Sequence, residues 1–138
     1  MPTPAIIHTD GGARGNPGPA GIGVVLETGG VTHTFKQFIG TATNNQAEYR
    51  AVILALEEAG RLGCSELKVY VDSELVARQL QRQYRVKDAA LGKLFIAAWN
   101  LIQGFRRVSV HSIPREDNRG ADRLVNQAID DALAGRTG

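Results

Sequence analysis

A chain of 138 residues with 43% hydrophobic and 22% charged side chains has the balance of one globular domain, and too little length for two. Disordered, fibrous and membrane-spanning classes are excluded, because no apolar run approaches transmembrane length and Met1-Pro2-Thr3-Pro4 lacks the basic and apolar regions of a signal peptide. The formal net charge is only +2 and the single cysteine, Cys64, has no internal disulfide partner, so a soluble cytoplasmic protein, monomeric by default, is expected.

The first predicted strand runs from Ala5 to Thr9 and ends on Asp10-Gly11-Gly12. A glycine-rich loop, Gly11 to Pro19, leads to a second strand, Gly21 to Glu27. Thr28-Gly29-Gly30 then turns the chain into a third strand, Val31 to Phe38. Asn44 or Asn45 is the expected cap of a helix that runs to Ala59 and stops at Gly60. A fourth strand, Leu67 to Val71, ends on Asp72, and Ser73 starts a short helix to Gln81. Tyr84 to Lys87 is a brief connection into a longer helix, Ala89 to Gln103, with Phe95, Trp99 and Ile102 on one stripe as core or groove wall. Val108 to His111 is a short fifth strand, Ile113 to Asn118 a loop, and Gly120 to Ala134 the last helix. The order βββαβααβα predicts an α/β fold in which strands four and five join in parallel beside strand one of an antiparallel three-stranded unit. Without repeats or linkers, residues 1–138 read as a single domain.

Four acids stand where folding alone does not ask for them. Asp10 and Asp72 end apolar strands, while Glu48 and Asp122 head the apolar stripes of two helices. Each has a plainer reading. Asp10-Gly11 is a turn dipeptide, Asn45 to Glu48 has capping-box spacing, Asp72-Ser73 suits a helix cap, and Asp122 suits the positive end of a helix. Together they fit convergence better, since capping does not place an acid on the buried stripe of its own helix. Converged carboxylates repel one another unless a cation lies between them, which points to a divalent-metal hydrolase. Seven basic residues lie between Arg78 and Arg107, opposed only by Asp88. Such a stretch reads equally as a solvated helix face or as a footprint for a phosphate backbone.

Four segments then carry a resemblance. Thr9-Asp10-Gly11-Gly12-Ala13-Arg14-Gly15-Asn16-Pro17-Gly18-Pro19-Ala20-Gly21 resembles the opening motif of type 1 ribonuclease H. Thr43-Asn44-Asn45-Gln46-Ala47-Glu48, Val71-Asp72-Ser73 and Asn118-Arg119-Gly120-Ala121-Asp122-Arg123-Leu124-Val125-Asn126 resemble its second, third and fourth motifs, in the family's order. The resemblance implies the ribonuclease H-like fold, a five-stranded mixed sheet of order 3-2-1-4-5, in a single domain without an N-terminal hybrid-binding domain. It implies that Asp10, Glu48, Asp72 and Asp122 hold two Mg2+ ions, with Mn2+ able to substitute and Asp10 bridging both. The activity implied is endonucleolytic hydrolysis of the RNA strand of an RNA–DNA hybrid, leaving 3′-hydroxyl and 5′-phosphate ends.

The resemblance also assigns substrate contacts. Asn16, Asn44 and Asn45 match polar contacts around the hybrid, Gly11 and Ala13 offer backbone groups to the RNA, and Thr43 matches a pocket for a DNA phosphate. The chain departs from the family's pattern in three places. Arg115 stands where a loop histidine commonly assists product release, with Glu116 beside it as a possible perturber of one metal site. Glu74 replaces a common glutamine at an RNA contact. The short Tyr84–Lys87 connection lacks a basic protrusion, leaving Arg78, Arg82, Arg85 and Lys87 as partial substitutes. His111 is read as structural. The alternative of a non-catalytic nucleic-acid-binding module on the same fold is disfavoured, because a pure binder gains nothing from acids clustered against phosphates. An actin-like ATPase needs a second lobe, and integrase-like or exonuclease domains fit the asparagine signatures less well.

Overall fold

The computed structural model describes residues 3–135. Its strands are β1 (Pro4–Ala13), β2 (Gly18–Thr28), β3 (Val31–Ala42), β4 (Glu66–Val71) and β5 (Arg107–Ser112). Its helices are α1 (Asn44–Arg61), α2 (Glu74–Leu80), α3 (Ala89–Ile102) and α4 (Arg119–Leu133). The sheet order is β3-β2-β1-β4-β5, with β1–β2 and β2–β3 antiparallel and β1–β4 and β4–β5 parallel. Both the element order and the sheet order are those expected from the sequence.

Period-two alternation gives the sheet two distinct faces. Ile7 and Val69, with Val24 and Leu26 from β2, meet Tyr49, Val52 and Leu56 of α1 in the main core, which Leu91 and Ala98 of α3 extend. α4 packs on β1, β2 and β3 instead. Its approach depends on Gly23, where an added Cβ would lie 2.5 Å from the Ala121 carbonyl oxygen and 2.7 Å from Leu124 Cβ. Gly23 pairs in register with Asp10. The strand residue opposite Asp10 is therefore the one that lets the first turn of α4, with Asp122, come down onto the sheet.

Several boundaries differ from expectation. β1 does not stop at Thr9 but continues through Gly11, Gly12 and Ala13, which pair with Ile22, Gly21 and Ala20. Asp10 is thus interior to a strand, and the loop shrinks to residues 14–17. Of the two glycines that imitate a turn in the sequence, Gly11 is a strand position made small for α1 to approach, while Gly12 has room for a methyl group. The cap of α1 is Thr43, whose hydroxyl accepts from the Gln46 N–H while the Gln46 side chain accepts from the Thr43 N–H. That capping box frees Glu48 from the capping role considered for it. α1 also runs past Gly60 to Arg61. Ser73, not Asp72, caps α2, accepting from the Val76 N–H.

Candidate active site

Sheet topology places β1 beside β4, so Asp10 and Asp72 emerge on adjacent strands at one sheet end. α1 brings Glu48 to the same place, because its first turn rests on Gly11. A Cβ on Gly11 would fall 2.2 Å from the Ala47 carbonyl carbon and oxygen and 2.6 Å from the Glu48 nitrogen. One carboxylate oxygen from each of Asp10, Glu48 and Asp72 lies within 4.8 Å of the others. Asp122 lines the same cleft, together with Gly11, Gly12, Ala13, Arg14, Asn44, Arg115 and Asn126. It stands outside the tight trio, with its Oδ1 3.4 Å from the Arg115 guanidinium.

The electrostatics follow from this crowding. Asp10 and Glu48 are each only 6% exposed. Burial, reinforced first by the charge of Asp72, pushes the Asp10 carboxyl up from an ordinary 3.8 to about 7. Burial, and then the charges of Asp10 and Asp72, raise Glu48 well above its usual range. Glu48 Oε2 is buried with no hydrogen-bond partner among the described residues. An unsatisfied carboxylate oxygen inside a cluster of hard oxygen donors, with no cysteine or histidine in it, suits a hard divalent cation.

Asn118 supplies a support that motif matching did not assign. It is 1% exposed, and its Nδ2 donates to the Thr9 carbonyl at 2.8 Å and to Asp72 Oδ2 at 3.1 Å. It therefore ties β1 to the carboxylate after β4 at the residue preceding α4. Its partners lie 109 and 46 residues away, so no local pattern announces it. Asn118→Ala is expected to weaken divalent-metal binding about 10- to 100-fold, the usual range for groups that orient a ligand. Its metal-free stability should fall by about 1–3 kcal/mol, since buried acceptors lose their donor. Calorimetric Mg2+ titration beside thermal unfolding in chelator separates the two effects.

The other sequence-derived candidates scatter more. Asn44 Oδ1 accepts from the Ala13 N–H at 2.9 Å, and Asn16 Oδ1 accepts from the Asn44 N–H at 3.0 Å, so the two asparagines tie the end of β1 and the loop after it to the start of α1. Asn45 is half-buried beside them, and Thr43 is engaged in its capping box. Glu74 is exposed, lies outside the cleft lining and pairs with Arg78 at 3.5 Å. Arg115 opens a short 3-10 turn, Arg115–Asp117; Glu116 is exposed there and does not line the cleft. His111 is exposed at the end of β5, where its ring packs against Tyr70. Among the described residues no helix is long and apolar enough to cross a membrane.

A second groove lies between α2 and α3, lined among others by Arg82, Tyr84, Arg85, Phe95 and Ile96. Trp99 stacks on Phe95 behind it and carries the Arg82 guanidinium 5.0 Å above its ring. The connection is held from inside. Gln79, 4% exposed, accepts from the Tyr49 hydroxyl at 2.5 Å and donates to the Arg85 carbonyl at 3.3 Å.

The family model described as reverse transcriptase-like matches residues 8–128. A bifunctional protein of Mycobacterium tuberculosis is 47% identical over 92% of this chain, which corresponds to 36% of that protein. Ribonuclease HI of Halobacterium salinarum is 44% identical over 91% of this chain and 64% of its own length. The chain thus spans between about a third and two thirds of these relatives. Among solved structures, LC11-RNase H1 in complex with an RNA/DNA hybrid is 47% identical, with a TM-score of 0.89, covering 94% of this chain and 99% of that one. With four acid-bearing motifs on a five-stranded sheet of order 3-2-1-4-5, the chain belongs to the type 1 ribonuclease H family.

Proposed function

We propose that this domain is an endonuclease that hydrolyses the RNA strand of RNA–DNA hybrids, leaving 3′-hydroxyl and 5′-phosphate ends. The observation that carries the reading is the clustering of buried Asp10 and Glu48 with half-buried Asp72 in a cleft also lined by Asp122 and two arginines. The relative that holds an RNA/DNA hybrid supports the substrate. Asp10, Glu48, Asp72 and Asp122 would hold two Mg2+ ions, or Mn2+, which when bound supply an activated water and neutralise charge at the scissile phosphate. The chain's own residues do the rest. Asp10, whose carboxylate clusters with those of Glu48 and Asp72, would help to hold both ions. Asn118 orients Asp72. Gly11 and Ala13 present backbone to the RNA, while Asn16, Asn44 and Asn45 offer amides to hybrid sugars and bases, and Thr43 meets a DNA phosphate at the start of α1. Arg115, within reach of Asp122, serves product departure. Arg85, which lines the second groove, and Lys87 two residues on, both without ion-pair partners among the described residues, would extend the contact on that side.

End-labelled hybrid, RNA duplex and DNA duplex, incubated with Mg2+, Mn2+ or chelator, test the reading. Metal-dependent internal cutting of RNA in the hybrid alone is expected, with a loss of at least about 10³-fold in Asp10→Asn, the scale on which a lost catalytic group registers. Cutting that survives Asp10→Asn overturns the assignment of roles. Hybrid binding without cutting replaces the nuclease by a binding module.

A further inference from the structure

Arg14 has no part in the metal centre, yet its surroundings are specific. It follows β1, and its side chain crosses to α4, where Nη2 lies 2.7 Å from Asp130 Oδ1, 3.4 Å from Asn126 Oδ1 and 3.5 Å from the Asn126 carbonyl oxygen. All three contacts use Nη2. Among the described residues, Nε and Nη1 have no protein partner, and Arg14 lines the cleft of the four acids with its side chain 40% exposed. Asn126 in turn donates to the Asp122 carbonyl at 3.1 Å, so the arginine rests on the helix that carries the fourth acid. Asn126 and Asp130 stand one and two turns along α4 from Asp122, displacements of about 6 and 12 Å. These anchors offset the guanidinium along the helix from Asp122, within the same cleft, which suits a phosphate neighbouring the reacting one.

Arg115 and Arg14 are the two arginines that line the cleft, and Arg115 faces Asp122. A polyanion entering a pocket of carboxylates needs positive charge at the flanks as well as at the centre. A guanidinium pinned at one nitrogen by a carboxylate keeps its orientation and offers its free edge as a fork for phosphate oxygens. We propose that Arg14 binds a phosphate of the cut strand next to the scissile bond, with Asp130 and Asn126 as the positioning residues that aim it. The proposal rests on the hybrid-nuclease reading above and adds a substrate contact to it.

Steady-state cutting of one defined hybrid by wild type, Arg14→Ala, Arg14→Lys and Asp130→Asn, across a salt series, tests this. The same variants are then given hybrids in which single phosphates around the cut site are replaced by neutral methylphosphonates. Arg14→Ala is expected to raise KM about five- to thirtyfold with kcat within about threefold, and to reduce the slope of log KM against log salt by about 1. Arg14→Lys should recover part of the loss, and Asp130→Asn should cost less than Arg14→Ala. In wild type one methylphosphonate position should raise KM. In Arg14→Ala that position should have no further effect. The proposal is overturned if the methylphosphonate profile of Arg14→Ala matches wild type. It is likewise overturned if Arg14→Ala and Asp130→Asn lower kcat and stability equally with KM unchanged, the mark of a mere clamp between loop and helix. Wild-type protein that cuts no hybrid sinks the nuclease reading and this contact with it, whereas normal cutting by Arg14→Ala sinks this contact alone.

Discussion

In chelator at pH 8, Asp10→Asn is expected to unfold at a temperature higher than wild type by roughly 5 °C or more while cutting no hybrid. The two effects have one cause. Burial and the neighbouring charge of Asp72 raise the Asp10 carboxyl to about 7 against an ordinary 3.8. Between those values the folded chain keeps a proton that the unfolded chain has released, so stability falls as pH rises through this window and the full penalty is present by pH 8. The gap corresponds to at most about 4 kcal/mol, part of which water in the cleft screens. Asparagine removes the charge and keeps the shape, and it relieves Glu48, which burial and then the charges of Asp10 and Asp72 raise. As pH falls towards 4 the midpoints of the two proteins should approach each other, because Asp10 is then neutral in the folded wild type and only partly ionised in its unfolded state. Adding Mg2+ should reverse the order at pH 8 by stabilising wild type far more than the mutant. Thermal unfolding across pH 4–8, with and without metal, checks this. A mutant less stable than wild type at pH 8 in chelator would mean that the acids are not held against repulsion.

The opposition between stability and activity explains why the acids were legible in the sequence at all. An acid that only caps or turns is compatible with folding physics and leaves no contradiction to notice. Glu48 on the apolar stripe of α1, followed by Val52, Ala55 and Leu56, contradicts it, and the structure buries Glu48 to 6% exposure with an unpartnered oxygen. The alternation of strands and helices likewise sufficed for the element order and the sheet order. What escaped is what depends on contact across the chain. Asp10-Gly11-Gly12 reads as a turn because aspartate and glycine are turn formers. In the fold it is strand, and Gly11 and Gly23 are small because helix backbones lie against them. The cap at Thr43 was displaced by one or two residues because several polar residues in a row all suit a helix start. Arg82 adopts a left-handed backbone with φ of 66° just after α2, where glycine is the usual signal, although the end of the helix itself, expected at Gln81, falls within one residue of the observed Leu80. Asn118 and Arg14 owe their partners to segments 46 to 112 residues distant.

Gly11→Ala should cost about 3 kcal/mol or more of stability and lower hybrid cutting by about 100-fold or more, although it removes no functional group. The added methyl would sit 2.2 Å from the carbonyl carbon and oxygen of Ala47, well inside contact distance, and the atoms it meets are backbone within the first turn of α1. No side-chain rotation relieves that. Either β1 or the start of α1 has to move. Glu48 is the next residue on α1, and Asp10 the preceding residue on β1. Any relief therefore separates two members of a trio whose oxygens lie within 4.8 Å of one another. The neighbouring glycine is the control. A Cβ on Gly12 would find its nearest atom, Val125 Cγ1, at 3.7 Å, an ordinary contact, so Gly12→Ala should unfold within about 1 kcal/mol of wild type. Metal titration adds a second reading: Gly11→Ala should bind Mg2+ at least tenfold more weakly even at temperatures where it is fully folded. If Gly11→Ala and Gly12→Ala proved alike in both measurements, the close approach of α1 to β1 would not be what sets Glu48 beside Asp10.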